Sequence, residues 1–246
     1  MALLEIDDVS KSFRGLRAVA RASFTVERHT IAALIGPNGA GKTTLFNLIA
    51  GLHRPDDGAI RFNGRSIGGL APHRVCAAGI GRTFQLVKPF AGLSVLDNAI
   101  VGALRGERTV ASARVRAQAV LTRLGLGGKA SLLASHLTLA DRRRLEVARA
   151  LATRPSLLLL DEVMAGLRPT EIDELVGILR DLQRDEGITI LLTEHVMRAV
   201  MALADQIVVL HHGEVIARGA PAAIVRDPAV LACYLGEDAA GEPAGT

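Results

Sequence analysis

The chain has 246 residues, of which 49% are apolar and 22% charged, and its formal net charge is +4. That length and apolar content exclude a disordered chain and suit one large α/β domain with room for a sizeable subdomain. No apolar run approaches the ~18 residues needed to span a bilayer, and the N-terminus lacks the basic and apolar regions of a signal peptide, so a cytoplasmic protein is expected.

The basic balance raises the question of nucleic acid. Aromatic residues make up only 3% of the chain, too few for base-stacking platforms, and the arginines are spread along helical segments. A solvated basic surface is expected, with no nucleic-acid partner. Cys76 and Cys233 lie far apart without C-x-x-C spacing, so neither a metal site nor a disulfide framework is indicated.

In chain order, residues 3–9 and 22–26 read as strands joined by a connection over 11–17. Residues 30–35 (TIAALI) read as a buried strand. Then comes Gly36-Pro37-Asn38-Gly39-Ala40-Gly41-Lys42-Thr43-Thr44, which meets the phosphate-loop pattern G-x-x-x-x-G-K-[ST] at every fixed position. The glycines let the backbone curl so that successive N–H groups point at phosphate oxygens. Lys42 supplies a point charge for the β- and γ-phosphates, and the Thr43 hydroxyl suits Mg2+. Residues 44–50 read as a helix whose positive N-terminus faces the anion. Strand, loop and helix follow in the order a nucleoside triphosphate site requires.

Residues 51–58 are dense in turn formers, 59–63 return as a short strand, and 79–85 end a strand and open a connection. From about 93 to 153 the periodicity is helical, clearest over 111–124 and 142–152. Residues 157–160 form a continuous apolar run closed by Asp161 and Glu162, the pattern of a buried parallel strand. A helix (170–184), a strand (188–192), a helix (196–204) and a hairpin (206–210 with 214–218) follow, the hairpin turning through His211-His212-Gly213. His211 and His212 read as surface residues. Alternating strands and helices predict a mostly parallel sheet with helices on its faces, and the helical middle reads as an inserted subdomain. The tail after Gly236 is small and polar and is expected to be disordered.

Asp161, at the C-terminal end of a buried strand beside the phosphate loop, suits Mg2+ held through water, and Glu162 suits orienting or deprotonating an attacking water. The chemistry expected is phosphoryl transfer to water.

With these motifs the sequence resembles the nucleotide-binding subunits of ABC transporters, from about residue 4 to 236. The resemblance implies a P-loop NTPase of the ABC ATPase type. Its core sheet is mostly parallel, with antiparallel N-terminal strands and an inserted helical subdomain. The single domain (1–236) divides into a RecA-like core at about 1–85 and 155–236 and a helical subdomain at about 86–154. It also implies ATP and Mg2+ as ligands. Phe13 falls where the family stacks an aromatic on adenine, although a Phe there also fits a buried core position. Gln85 falls at the Q-loop, implying contact with Mg2+ and water and sensing of the transporter partner. His195 falls at the switch histidine that contacts the γ-phosphate.

In the family two such subunits pack head to tail, each ATP lying between one phosphate loop and the partner's signature L-S-G-G-Q. Here that place reads Leu137-Thr138-Leu139-Ala140-Asp141. Thr138 keeps a hydroxyl for the γ-phosphate. Ala140 adds a methyl where the backbone approaches phosphate, and Asp141 brings negative charge toward an anionic ligand; either would weaken the sandwich. Gly81-Arg82-Thr83-Phe84-Gln85, Ser94-Val95-Leu96-Asp97-Asn98, Arg142-Arg143-Arg144-Leu145-Glu146 and Ala165-Gly166-Leu167 resemble the branched-chain amino-acid importers. That implies a second ATPase subunit, membrane permeases and, indirectly, a periplasmic solute-binding protein, with the chain peripheral on the inner face of the membrane. Two alternatives stay open: a soluble ABC ATPase without permeases, and a weakly hydrolysing ATP-binding partner in an asymmetric dimer.

Overall fold

The computed structural model describes residues 2–84 and 89–238, so Gln85 lies outside the described residues. Two strands open the chain, β1 (Ala2–Phe13) and β2 (Leu16–Glu27), and both run further than the sequence suggests. The expected connection over 11–17 is mostly ladder, because Phe13 pairs with Leu16 around a two-residue turn. Arg14 (φ 47°) and Gly15 (φ 88°) both take left-handed backbone there, the geometry that matches the twist of the flanking strands. Arg-Gly carries that turn without the Asn or Asp that usually announces it.

Next come β3 (Ile31–Ile35), α1 (Lys42–Ile49), β4 (Asp57–Phe62), the short β5 (Arg65–Ser66), α2 (Pro72–Ala78) and β6 (Ile80–Arg82). Helices α3 (Val95–Ala103), α4 (Val110–Arg123) and α5 (Leu139–Ala152) fill the middle of the chain and pack on one another. Then follow β7 (Leu157–Asp161), α6 (Pro169–Glu186), β8 (Thr189–Thr193), α7 (Met197–Leu203), β9 (Gln206–His211), β10 (Glu214–Gly219), α8 (Pro221–Ile224) and α9 (Pro228–Asp238). Helix α9 carries the chain two residues into the stretch expected to be disordered, and 239–246 lie outside the described residues.

Two sheets result. The first is antiparallel, in the order β2-β1-β4-β5. The second runs β10-β9-β3-β8-β7-β6; it is parallel except for the edge hairpin β9–β10. Strands β3, β7 and β8 are buried at every residue, which is why they read as unbroken apolar runs. Their side chains sort by alternation. Ala32, Leu34, Leu157, Leu159 and Leu191 face α1 and the antiparallel sheet. Ile31, Ala33, Ile35, Leu158, Leu160, Ile190 and Leu192 face the helices of the other side. Helix α1 is thus held between the sheets through Leu45, Phe46, Leu48 and Ile49, all fully buried. Because β3, β8 and β7 are neighbours and parallel, their C-terminal ends emerge along one edge, where open α/β sheets bind ligands.

Candidate active site

The loop from Gly36 to Gly41 leaves β3 at that edge. Gly36 has φ 148°, and a Cβ there would stand 2.0 Å from the Leu210 carbonyl oxygen of β9. Gly41 has φ 102°, and a Cβ there would meet the Ala18 carbonyl oxygen at 2.2 Å. These two positions need glycine because neighbouring backbone fills the side-chain space. Pro37 and Ala40 are buried, while Asn38 and Gly39 are exposed at the tip. The Lys42 ammonium turns back over the loop, donating to the carbonyls of Gly36 (2.5 Å) and Pro37 (2.9 Å).

Helix α1 differs from α3, α4 and α5 at its amino end. Those three are capped by the hydroxyls of Ser94, Thr109 and Thr138. The cap of α1 is Gly41, with no side-chain bond and no acid in the first turn. Its first N–H groups therefore lack an internal side-chain acceptor, the condition that favours an external anion.

A cleft of about 480 Å3 opens over this loop. Its walls include Phe13, Asn38, Gly39, Ala40, Gly41, Lys42, Thr43, Thr44, Glu162 and His195, bringing together residues that sequence singled out from four separate segments. Phe13 is 39% exposed at the hairpin tip, with His53 edge-on at 5.1 Å, so the core alternative for this residue is corrected. His212 is a surface residue as expected, and from a turn where it has φ 47° it also lines the cleft. Thr138 and Ala140 lie at the start of α5 and are not in this cleft.

Glu162 and His195 face each other, His195 Nε2 lying 2.8 Å from Glu162 Oε1. Glu162 has φ 51°, a left-handed conformation costing a non-glycine residue ~1–2 kcal/mol, and such strain persists only where the surroundings impose it. Its N–H donates to the Thr193 carbonyl at 3.0 Å. Behind it Asp161 is buried. Thr193 Oγ1 donates to Asp161 Oδ1 at 2.9 Å, and Arg82 Nη2 donates to Oδ2 at 3.0 Å. Arg82 also reaches Asn47 Oδ1 of α1 at 2.7 Å, so one guanidinium ties β6, β7 and α1 together.

Sequence reasoning gave no role to Arg82 or Glu194. The only signals were a basic residue ending the strand before Gln85, and an acid beside His195 at the exit of a buried strand. Glu194 is 2% exposed, and its Oε1 accepts the Met164 N–H at 2.8 Å. Burial pushes its carboxyl up to about 7, outweighing the N–H donors of Met164 and His195 and the cation of Arg143; Glu162 raises it further.

At α5, Thr138 caps the helix by accepting the Asp141 N–H at 3.2 Å, while its own hydroxyl donates to Asp141 Oδ2 at 2.9 Å. Lys129 Nζ lies 2.6 Å from the same oxygen. The Asp141 carboxylate is thus buried and paired with Lys129. Ala140 is also buried, so its methyl packs inward.

Known proteins resemble this chain in sequence and fold. The model of the family described as ABC transporter matches residues 19–165, more than half of the chain. A second, described as Branched-chain amino acid ATP-binding cassette transporter, matches residues 214–240. The chain is 39% identical over 250 residues to the high-affinity branched-chain amino acid transport ATP-binding protein LivG of Salmonella typhimurium, covering 96% of this chain and 98% of that protein. It is 38% identical to BraF of Pseudomonas aeruginosa, named for the same transport, with the same coverage. It is 34% identical over 238 residues to the lipopolysaccharide export system ATP-binding protein LptB of Haemophilus influenzae, again covering 96% and 98%. Among solved structures, a nucleotide-free ATP-binding cassette from an ABC transporter superposes with a TM-score of 0.87 at 27% identity, covering 95% of this chain and 99% of that one. The ADP conformation of another cassette gives 0.87 at 28%, covering 96% and 99%. With its phosphate loop, paired Glu162 and His195, and this likeness along almost its whole length, the chain belongs to the ABC transporter family as an ATP-binding cassette.

Proposed function

We propose that this chain hydrolyses ATP to power a membrane importer for branched-chain or related amino acids. The observation that carries the ATPase reading is the Glu162–His195 pair, 2.8 Å apart in the cleft that Lys42 and the bare amino end of α1 enter. The relatives named for branched-chain amino acid transport support the solute class.

In this reading the loop amides and Lys42 bind the β- and γ-phosphates, exchanging the carbonyl contacts of the lysine for phosphate oxygens. Phe13, exposed at the cleft wall, stacks on adenine. Glu162 accepts a proton from the attacking water, and His195 orients the Glu162 carboxylate and the γ-phosphate. Mg2+ fits the donors present. Thr43 offers an exposed hydroxyl. Each Asp161 oxygen accepts one hydrogen bond and has capacity for another, which suits a hard cation that keeps several waters. Gln85 belongs to the same set. Bound there, the ion would neutralise charge on the phosphate oxygens.

The partners in this reading are a second ATPase subunit, packed head to tail so that Thr138 and Ala140 face its nucleotide, and membrane permeases at the inner face of the membrane. A periplasmic solute-binding protein joins only indirectly. No helix among the described residues is long and apolar enough to cross a membrane, so a permease contact needs a surface. A groove of about 360 Å3 with Leu52, Phe84 and Val101 exposed on it, Phe84 directly preceding Gln85 in sequence, suits that contact.

A second reading rests on Thr138, whose hydroxyl is already bonded to Asp141. In an asymmetric pair this signature would complete the weaker site. Steady-state ATPase activity of the chain alone, and with its partner ATPase and permeases, tests both. Activity in the complex that Glu162→Gln abolishes while ATP stays bound supports the proposal. Hydrolysis near wild type in that variant refutes the role of Glu162. Silence alone with activity in the complex favours the asymmetric pair.

A further inference from the structure

We propose that Glu194 is a positioning residue that holds the Glu162–His195 pair in register by clamping the Met164 N–H of the loop that carries Glu162. The inference rests on the reading of Glu162 and His195 above.

Glu162 sits in a strained conformation at the end of β7, and hydrogen bonds hold the turn that follows. Its own N–H bonds the Thr193 carbonyl at 3.0 Å, and the Ala165 N–H returns to the Glu162 carbonyl at 3.3 Å. Another runs from the Met164 N–H to the Glu194 side chain, accepted by Oε1 at 2.8 Å. Glu194 lies next to His195 in the chain, whose backbone N–H also favours its carboxylate form. One buried carboxyl thus bridges the segment bearing the acid and the segment bearing the imidazole. If that bridge opens, the turn can relax toward right-handed backbone, which swings the Glu162 carboxylate away from His195.

The group is an expensive one to bury. It is 2% exposed, and desolvation pushes its carboxyl up to about 7. A leucine or methionine in its place would fill the space without that penalty. The carboxyl does what an apolar side chain cannot, since it accepts the Met164 N–H of the facing loop. Arg143, also buried, reaches the Ala165 carbonyl at 3.4 Å from the other side, so the same turn is gripped by an acid and a base.

The experiment compares Glu194→Ala, Glu194→Asp and Glu194→Gln in the full chain assembled with its partners, with Glu162→Gln as control. Amide hydrogen exchange at Met164 is read in the same proteins. Losing one hydrogen bond of ~1.4 kcal/mol corresponds to about tenfold, so Glu194→Ala should lower kcat by at least about tenfold, with KM for ATP changed by less than about twofold. Met164 exchange should accelerate by a similar factor. Glu194→Gln keeps an acceptor oxygen at the same reach and should restore both values to within about threefold of wild type. Glu194→Asp, one methylene shorter, should behave like the alanine variant even where alanine fails to fold. Wild-type kcat in Glu194→Asp, unchanged Met164 exchange, or a glutamine variant as damaged as alanine would each overturn the proposal. A silent wild-type complex would instead refute the catalytic reading, while Met164 exchange would still test the clamp.

Discussion

Arg82 and Asp161 form an ion pair at 3.0 Å whose side chains are only 10% and 1% exposed. Replacing Arg82 by Met keeps volume and apolar stem but leaves the carboxylate with Thr193 as its remaining side-chain donor. Removing one partner of a buried pair costs ~3–5 kcal/mol, because the surviving charge stays buried without its counter-charge. For a domain of this size each kcal/mol is worth ~2–4 °C in Tm, so Arg82→Met should lower Tm by about 6–20 °C. The lost bond to Asn47 adds to the cost. Calorimetry or urea unfolding on three variants makes the comparison. Arg61→Met, which removes a surface pair whose side chains are 42% and 61% exposed, should cost less than about 1 kcal/mol. The double variant Arg82→Met with Asp161→Asn should recover most of the loss, because the orphaned charge is gone. An Arg82→Met shift as small as that of Arg61→Met would refute the reasoning. So would a double variant no more stable than the single one.

Two further outcomes are expected. The Glu194 carboxyl stands at about 7 against an ordinary 4.5, so between those values the folded chain keeps a proton that the unfolded chain releases. Stability therefore falls as pH rises through that window, by about 3 kcal/mol in total, and Glu194→Gln should lack this slope. Parallel stability–pH curves for the two proteins would refute it. Lys129→Met should lower stability by ~1–2 kcal/mol by stranding the buried Asp141 carboxylate, and adding Asp141→Asn should restore most of it. Chemical unfolding of the single and double variants decides, and a Lys129→Met protein as stable as wild type would show that Thr138 suffices for that charge.

Much of the fold was legible in the chain. Strands β3, β7 and β8 are buried on both faces and therefore read as apolar runs, and the phosphate loop is legible because its motif spans only nine residues, although the backbone that demands Gly36 and Gly41 comes from Leu210 and Ala18. Helices α4, α5 and α6 carried their own periodicity. The β1–β2 hairpin was cut short in the sequence reading because its turn depends on positive φ at Arg14, which residue type does not announce. Helix α2 gave no signal either, being seven residues with one buried side chain.

The site divides the same way. Lys42, Thr43, Asp161 and Glu162 were singled out because each stands at a fixed place in a local strand, loop or helix pattern, and His195 by the family resemblance. Their mutual arrangement belongs to the tertiary structure. Arg82 meets Asp161 across 79 residues of chain, and Glu194 meets Met164 across 30. Lys129 neutralises Asp141 only because the turn before α5 brings it to the helix start. Local pattern specifies which backbone a segment adopts; the pairing of buried charges depends on which strand ends share an edge, and parallel packing of β3, β8 and β7 decides that.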